Sequence, residues 1–241
     1  MKTVYLVRHG ETFQNREKVV QGADPTQGRL TEKGVRQAHL LGQHLANTPF
    51  DMVFCSPLER TVLTLSQILL ARTGKRTLPI RFADALKEVN LGVLHGCTHA
   101  EWRAMTTGNP MAFAPEGGES WEDVKDRTSA FFRQEVLPGP WERVLIVAHG
   151  GVNRGILAPL LGMTIGETWQ EAGIGTPQSN TCVNRIELNA SGEMTGLIVN
   201  DTTHLAGEFS EATAGQLWHP DRRAWSLREL GVPPVTDPQG P

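Results

Sequence analysis

Two periodicities share this chain, and the places where one gives way to the other locate its elements. Thr3–Val7, Met52–Cys55 and Arg143–Ala148 are short runs of β-branched and apolar residues, which predict buried strands. Between them the apolar positions spread to helical spacing. Val35, Ala38, Leu41 and Leu45 give one apolar face to a helix opened by Thr31 as N-cap, with Leu30 and Val35 as a hydrophobic staple. Ser56-Pro57-Leu58-Glu59 has the form of a capping box with proline at the first helical position, so a helix is predicted directly after the second strand. Val152–Leu161 predicts another after the third, bent or ended by Pro159. A capping box at Thr98-His99-Ala100-Glu101 predicts a short helix through Trp102 and Met105. Ser120 caps one through Val124, Phe131 and Val136. Val183–Leu188 and Thr195–Val199 flank Ala190-Ser191-Gly192, which reads as a hairpin turn.

Strands alternating with helices predict an α/β fold: a three-layer sandwich with a mostly parallel central sheet and helices on both faces. One domain is expected over residues 1–205, with an insertion at about 91–119 covering one end of the sheet. Residues 206–241 read as a C-terminal extension, and its proline-rich end, Val232–Pro238, as disordered.

Composition narrows the function classes. At 241 residues and 39% hydrophobic, the chain can bury a sizeable core. Its net charge of −3 leaves no global basic field, so neither nucleic acid nor a membrane surface is an expected partner. Anion recognition must come from locally placed arginines. The apolar run at the N-terminus is too short for a signal peptide and is interrupted by Arg8 and His9. Cys55, Cys97 and Cys182 form no CxxC pair and read as the reduced thiols of a cytoplasmic protein.

Each of the first three predicted strands runs into unusual residues. Arg8-His9-Gly10-Glu11-Thr12 follow the first, Arg60 sits in the first turn after the second, and His149-Gly150 follow the third. In open α/β sheets, ligands bind at the carboxyl ends of strands. Parallel neighbours would therefore bring two histidines and two arginines to one spot. That set suits a phosphoryl group. Arginine offers a planar fork matched to phosphate, and a helix N-terminus adds backbone N–H groups. Gly10 and Gly150 let the backbone approach a ligand closely. A histidine between arginines has its protonated form disfavoured, which leaves its imidazole able to attack phosphorus. A zinc site would need a third ligand and no flanking arginines. An acid for the leaving oxygen is drawn from Glu11, Glu88 and Glu119, with Glu88 in Leu86-Lys87-Glu88-Val89-Asn90-Leu91-Gly92 the preferred candidate.

At Val7-Arg8-His9-Gly10-Glu11-Thr12 with Asn15, the chain resembles the histidine phosphatase superfamily, the phosphoglycerate mutase-like family. Ser56-Pro57-Leu58-Glu59-Arg60-Thr61, Leu86-Lys87-Glu88 with Gly92, Gly117-Gly118-Glu119-Ser120, Ala148-His149-Gly150-Gly151 and Asn200–Leu205 resemble its later segments, in order. The resemblance implies that His9 is phosphorylated, that Arg8, Arg60 and His149 bind the phosphoryl group, and that Glu88 is the proton donor. It places substrate near Thr12, Asn15, Gln21, Gly22 and Gly150, and implies no metal and no cofactor.

Two departures bear on the branch. Leu91 and Leu94 stand where the family often has aromatic residues. Arg103 is the only arginine or lysine between Val89 and Trp121, where related mutases resemble a longer, more basic segment. The first implies a different pocket wall, and the second favours a phosphomonoester hydrolase acting on a small phosphorylated metabolite, with no need of a second acidic group. A phosphoglycerate-type mutase and a non-catalytic phosphate-binding protein are the alternatives. The intact set of five residues weighs against the last. Oligomeric state, a homodimer included, is left open.

Overall fold

A computed structural model describes residues 1–25, 28–72, 77–106, 108–169 and 175–209, and the backbone of a strand at 214–218. Its strands are β1 (Lys2–Arg8), β2 (Met52–Cys55), β3 (Ile80–Phe82), β4 (Arg143–Ala148), β5 (Val183–Leu188), β6 (Met194–Asp201) and β7 (Ala214–Trp218). Its α-helices are α1 (Phe13–Glu17), α2 (Glu32–Leu45), α3 (Glu59–Leu70), α4 (His99–Met105), α5 (Trp121–Phe131) and α6 (Gly150–Leu161).

The strands form one sheet in the order β3-β2-β4-β1-β5-β6-β7. β3, β2, β4 and β1 run parallel, while β5, β6 and β7 add on antiparallel. The sheet is therefore mixed. The predicted hairpin is the reason, since strands joined by a tight turn can only pair antiparallel. Its turn forms at the expected place, with Gly192 at φ 79°. The extension beyond residue 205 is not wholly appended, because β7 closes the edge beside β6. Val232–Pro238 lies outside the described residues.

Both sheet faces are covered. Val4, Leu6, Val144 and Ile146 pack with Val152, Ile156 and Leu160 of α6 and with Phe131 of α5. The alternate positions Val7, Leu145 and Val147 pack with Leu41 and Leu45 of α2 and with Leu65 and Ile68 of α3. This is the period-two alternation of a strand buried on both sides. A smaller cluster of Val20, Val89, Leu91, Trp102, Trp121 and Ile165 lies beneath the 91–119 segment.

Several local expectations need adjusting. Thr31 does cap α2, accepting from Gly34 N at 3.0 Å, but Val35 is exposed and the buried face starts at Gly34. Pro159 does not stop its helix at once. It falls in the last turn of α6, which runs to Leu161 and stops at Gly162 with φ 62°. The helix capped by Ser120 reaches Phe131 and continues to Val136 as a π-helical turn. Ser56 is not an N-cap: α3 starts after Leu58, without a side-chain cap. Its hydroxyl is engaged by chemistry described below.

Candidate active site

Parallel pairing aligns three strand ends. Arg8 is in register with Ala148, and Cys55 with Val147, so His9, Ser56 and His149 each stand one residue past a strand. His9 N donates to Ala148 O at 3.1 Å, which fixes the first junction to the third. The turn after His9 then packs directly on α2. A Cβ on Gly10 would come within 2.4 Å of Gly34 O, and one on Gly34 within 2.0 Å of Glu11 O. Gly10 is thus required by the approach of another backbone rather than by a ligand.

His9 is buried, and its Nδ1 lies 2.8 Å from Gly10 O. A carbonyl can only accept, so Nδ1 carries the proton and Nε2 keeps its lone pair. Burial, with Arg60 and Arg8 nearby, holds the imidazole well below the ordinary histidine range. It is therefore neutral near pH 7, the form that can act as nucleophile. The His149 ring lies 5.3 Å away and is held at both nitrogens. Arg60 Nε donates to His149 Nδ1 at 3.1 Å, so Nε2 bears the proton and donates to Ser56 Oγ at 2.8 Å. Burial, and then Arg60, likewise push His149 well below its usual value. This bond is what occupies the Ser56 hydroxyl.

Arg60 is fully buried in the first turn of α3, and its Nη2 donates to Gly22 O at 2.9 Å. Burial brings its pKa down to about 10. Arg8 donates through Nη1 to Gln178 O. Its Nε is buried and has no hydrogen-bond partner. A buried guanidinium donor without an acceptor is costly, and an anion is the natural remedy.

Geometry also separates the three candidate acids. Glu11 faces α2, accepting from Thr31 Oγ1 at 2.8 Å and pairing with Lys33 at 3.6 Å. Glu119 pairs with Arg127 at 2.7 Å and accepts from Asn90 N at 3.0 Å. Glu88 alone of the three reaches the first turn of α6, where its Oε2 accepts from Gly151 N at 3.1 Å. Its charge is felt by both Arg8 and Arg60.

The loop expected to hold substrate has divided duties. Thr12 is fully buried, caps α1 in a capping box with Asn15 and donates to Gln21 Oε1 at 2.9 Å, so its hydroxyl shapes the loop. Gly22 turns its carbonyl to Arg60. Asn15 Oδ1 accepts from Asn180 Nδ2 at 3.0 Å, and Asn180 also donates to His9 O at 3.1 Å. Asn180 was not legible in sequence: it is distant along the chain and belongs to no motif. Thr181 beside it donates to the same carbonyl at 3.2 Å and holds φ 58°, a strained value for a β-branched residue. Arg154, four residues after Gly150, reaches back over the helix start, where its Nη1 lies 3.4 Å from the place a Cβ on Gly150 would take. Trp121 and Trp169, with ring centroids 5.1 Å apart, supply an aromatic wall that the leucines at 91 and 94 do not.

All three cysteines are unpaired. Among the described residues, no helix is long and apolar enough to cross a membrane, and no three histidine, cysteine or acidic side chains group as metal ligands.

Known proteins resemble this chain. A fructose-2,6-bisphosphatase of Mus musculus, TIGAR, is 37% identical over 151 residues, 56% of this chain, which spans 55% of that protein's length. An adenosylcobalamin/alpha-ribazole phosphatase of Escherichia coli is 30% identical over 173 residues, covering 69% of this chain and 82% of the relative. A 2,3-bisphosphoglycerate-dependent phosphoglycerate mutase of Afipia carboxidovorans is 33% identical over 171 residues, covering 66% and 81%. Among solved structures, YhfR of Bacillus stearothermophilus superposes with a TM-score of 0.67 at 31% identity, covering 80% of this chain and 94% of its own. The sequence profile of the histidine phosphatase superfamily (branch 1) matches residues 4–201. Matched over most of its length, and with both histidines and both arginines at adjoining strand ends, the chain belongs to the histidine phosphatase superfamily, branch 1.

Proposed function

We propose that this protein is a phosphomonoesterase that moves the phosphoryl group of a small phosphorylated metabolite first to His9 and then to water. The observation that carries the reading is the His9 ring. Its Nδ1–H is tied to Gly10 O while Nε2 keeps a free lone pair beside Arg8 and Arg60. In the first step Nε2 attacks phosphorus, the P–O ester bond breaks, and the departing oxygen takes a proton from Glu88. In the second step water gives a proton back to Glu88 and its oxygen displaces Nε2, releasing inorganic phosphate. Arg8 and Arg60 hold the equatorial oxygens throughout and balance their charge. The Nε2–H of His149 would be a further donor once Ser56 gives way.

Metal assistance is not required by this scheme, because guanidinium groups do the charge-balancing. The cysteine pattern and the charge of −3 support a cytoplasmic enzyme acting on a diffusible substrate rather than on nucleic acid.

The test is single-turnover labelling with a 32P-labelled alkyl phosphate in the presence of chelator. Wild type should release free phosphate and transiently hold acid-labile protein phosphate, and His9→Ala should do neither. Isomerised ester in place of free phosphate would make the protein a mutase. Loss of turnover on chelation would sink the scheme.

A further inference from the structure

The Gly117-Gly118-Glu119-Ser120 segment has no task in the scheme above, yet its backbone lies along the loop that carries Glu88. Glu119 N donates to Asn90 O at 2.8 Å, and Asn90 N donates back to Glu119 Oε2 at 3.0 Å. Val93 N donates to Glu116 O at 3.1 Å, and Asn90 Nδ2 to Gly117 O at 2.9 Å. The two backbones come too close for side chains between them. A Cβ on Gly118 would lie 2.6 Å from Asn90 O, and one on Gly92 would lie 2.0 Å from Glu116 O.

Arg127 of α5 ties the two together. Its Nε and Nη2 donate to the Glu119 carboxylate at 2.7 and 3.1 Å, a bidentate fork. The same guanidinium reaches main-chain oxygens of the acid's own loop, Nη1 to Ala85 O at 2.8 Å and Nη2 to Glu88 O at 3.2 Å. The backbone is thus pinned at Ala85, Glu88 and Asn90, on both sides of the side chain that must meet the leaving oxygen. The grip is on main chain alone. Among the described residues Arg127 pairs with Glu119 and not with Glu88, whose oxygens accept from Val89 N and Gly151 N, both at 3.1 Å. The acid is held in place while its oxygens stay clear of a paired cation. The side chains of Glu119 and Arg127 are only 28% and 23% exposed, so water competes less for their bonds than for those of a surface pair.

We infer that Glu119 and Arg127 are positioning residues: their ion pair fixes the main chain from Ala85 to Asn90, and through it the place from which Glu88 gives its proton to the leaving oxygen. The inference rests on the phosphatase reading and gives the glycine-rich segment a task within it. A general acid works only within hydrogen-bond reach of the oxygen that departs. A displacement of about 1 Å costs on the order of a hundredfold in rate. Loss of the clamp should therefore cost most where the leaving oxygen needs a proton, and little where it departs as a stable anion.

Two esters provide the test: ethyl phosphate, with a poor leaving group, and 4-nitrophenyl phosphate, with a good one. They are compared by kcat/KM, which reports phosphoenzyme formation. Arg127→Gln should lower kcat/KM for ethyl phosphate roughly ten- to a hundredfold, and that for 4-nitrophenyl phosphate by less than about threefold. Arg127→Lys keeps the charge but not the fork and should give an intermediate ratio. Added to Glu88→Gln, Arg127→Gln should leave the ratio of the two esters where Glu88→Gln alone puts it, because the acid is already gone. Equal slowing of both esters by Arg127→Gln, or a further fall in the ratio on the Glu88→Gln background, would overturn the inference. If Arg127→Gln does not fold, Arg127→Lys and Glu119→Gln carry the same comparison, and a ratio unchanged in both would also overturn it. Wild type that hydrolyses neither ester would overturn the phosphatase reading, and the inference with it.

Discussion

His149 is gripped at both ring nitrogens, by Arg60 on one side and Ser56 on the other. Each bond fixes the direction of the other, because Arg60 can only donate and Ser56 must then accept. Deleting the hydroxyl would strand a buried N–H, which costs about 1–3 kcal/mol. Ser56→Ala is expected to lose that much stability in urea titration and to lower kcat as the ring loses its anchor. Unchanged stability would mean that His149 carries its proton on Nδ1, against the present assignment. The misreading of Ser56 in sequence has the same root. Serine three residues before glutamate is the pattern of a capping box, and nothing local reveals that a histidine on another strand will claim the oxygen. His9, Arg60 and His149 were legible because each follows a short apolar run whose character is unmistakable. In sequence Glu88 is set apart from Glu11 and Glu119 by the family resemblance, and the partners of the three carboxylates separate them by geometry.

The start of α6 is tightly packed. A Cβ on Gly151 would meet the Trp121 ring at 2.2 Å and Glu88 Oε1 at 2.5 Å. One methyl group there must displace either the aromatic wall or the candidate acid. Gly151→Ala should therefore lower both Tm and kcat, with a stability loss of about 1–3 kcal/mol typical of overpacking. Thermal unfolding and steady-state assays on the same preparation would check it, and a fall in Tm with kcat intact would separate Glu88 from this contact. Helix faces were only partly legible. Ala38, Leu41 and Leu45 do face the core, but Val35 does not, because Gly34 takes the inward position against Glu11. Periodicity reports where apolar residues recur, and a close backbone approach leaves no apolar mark. The same limit hid the sheet's second half: β7 has no strong alternation, yet its backbone groups pair with β6.

Over the whole molecule, buried histidines tie folding to pH. Burial holds His9 and His149 well below the ordinary value of 6.5, and burial with His44 nearby brings His204 to about 4. A lowered folded pKa means that below pH 6.5 the unfolded chain takes up protons which the folded chain refuses. Stability should thus be full above that pH and decline as pH falls, by at most about 1.4 kcal/mol per unit for each histidine. Denaturant titrations between pH 7.5 and 5 should show the decline, and His204→Asn should make it shallower. An identical slope in the variant would remove His204 from the account. Chain order sets one more condition. β4 lies between β1 and β2, yet it begins only at Arg143, long after both. Until β4 arrives, nothing in the sheet joins the strand that ends at His9 to the strand that leads to Arg60. A growing polypeptide therefore holds His9 and Arg60 apart until β4 has emerged, and the slowest event in its folding is expected to be the threading of that one strand into the gap. On the phosphatase reading, hydrolytic competence then appears in a single step, when β4 joins the two.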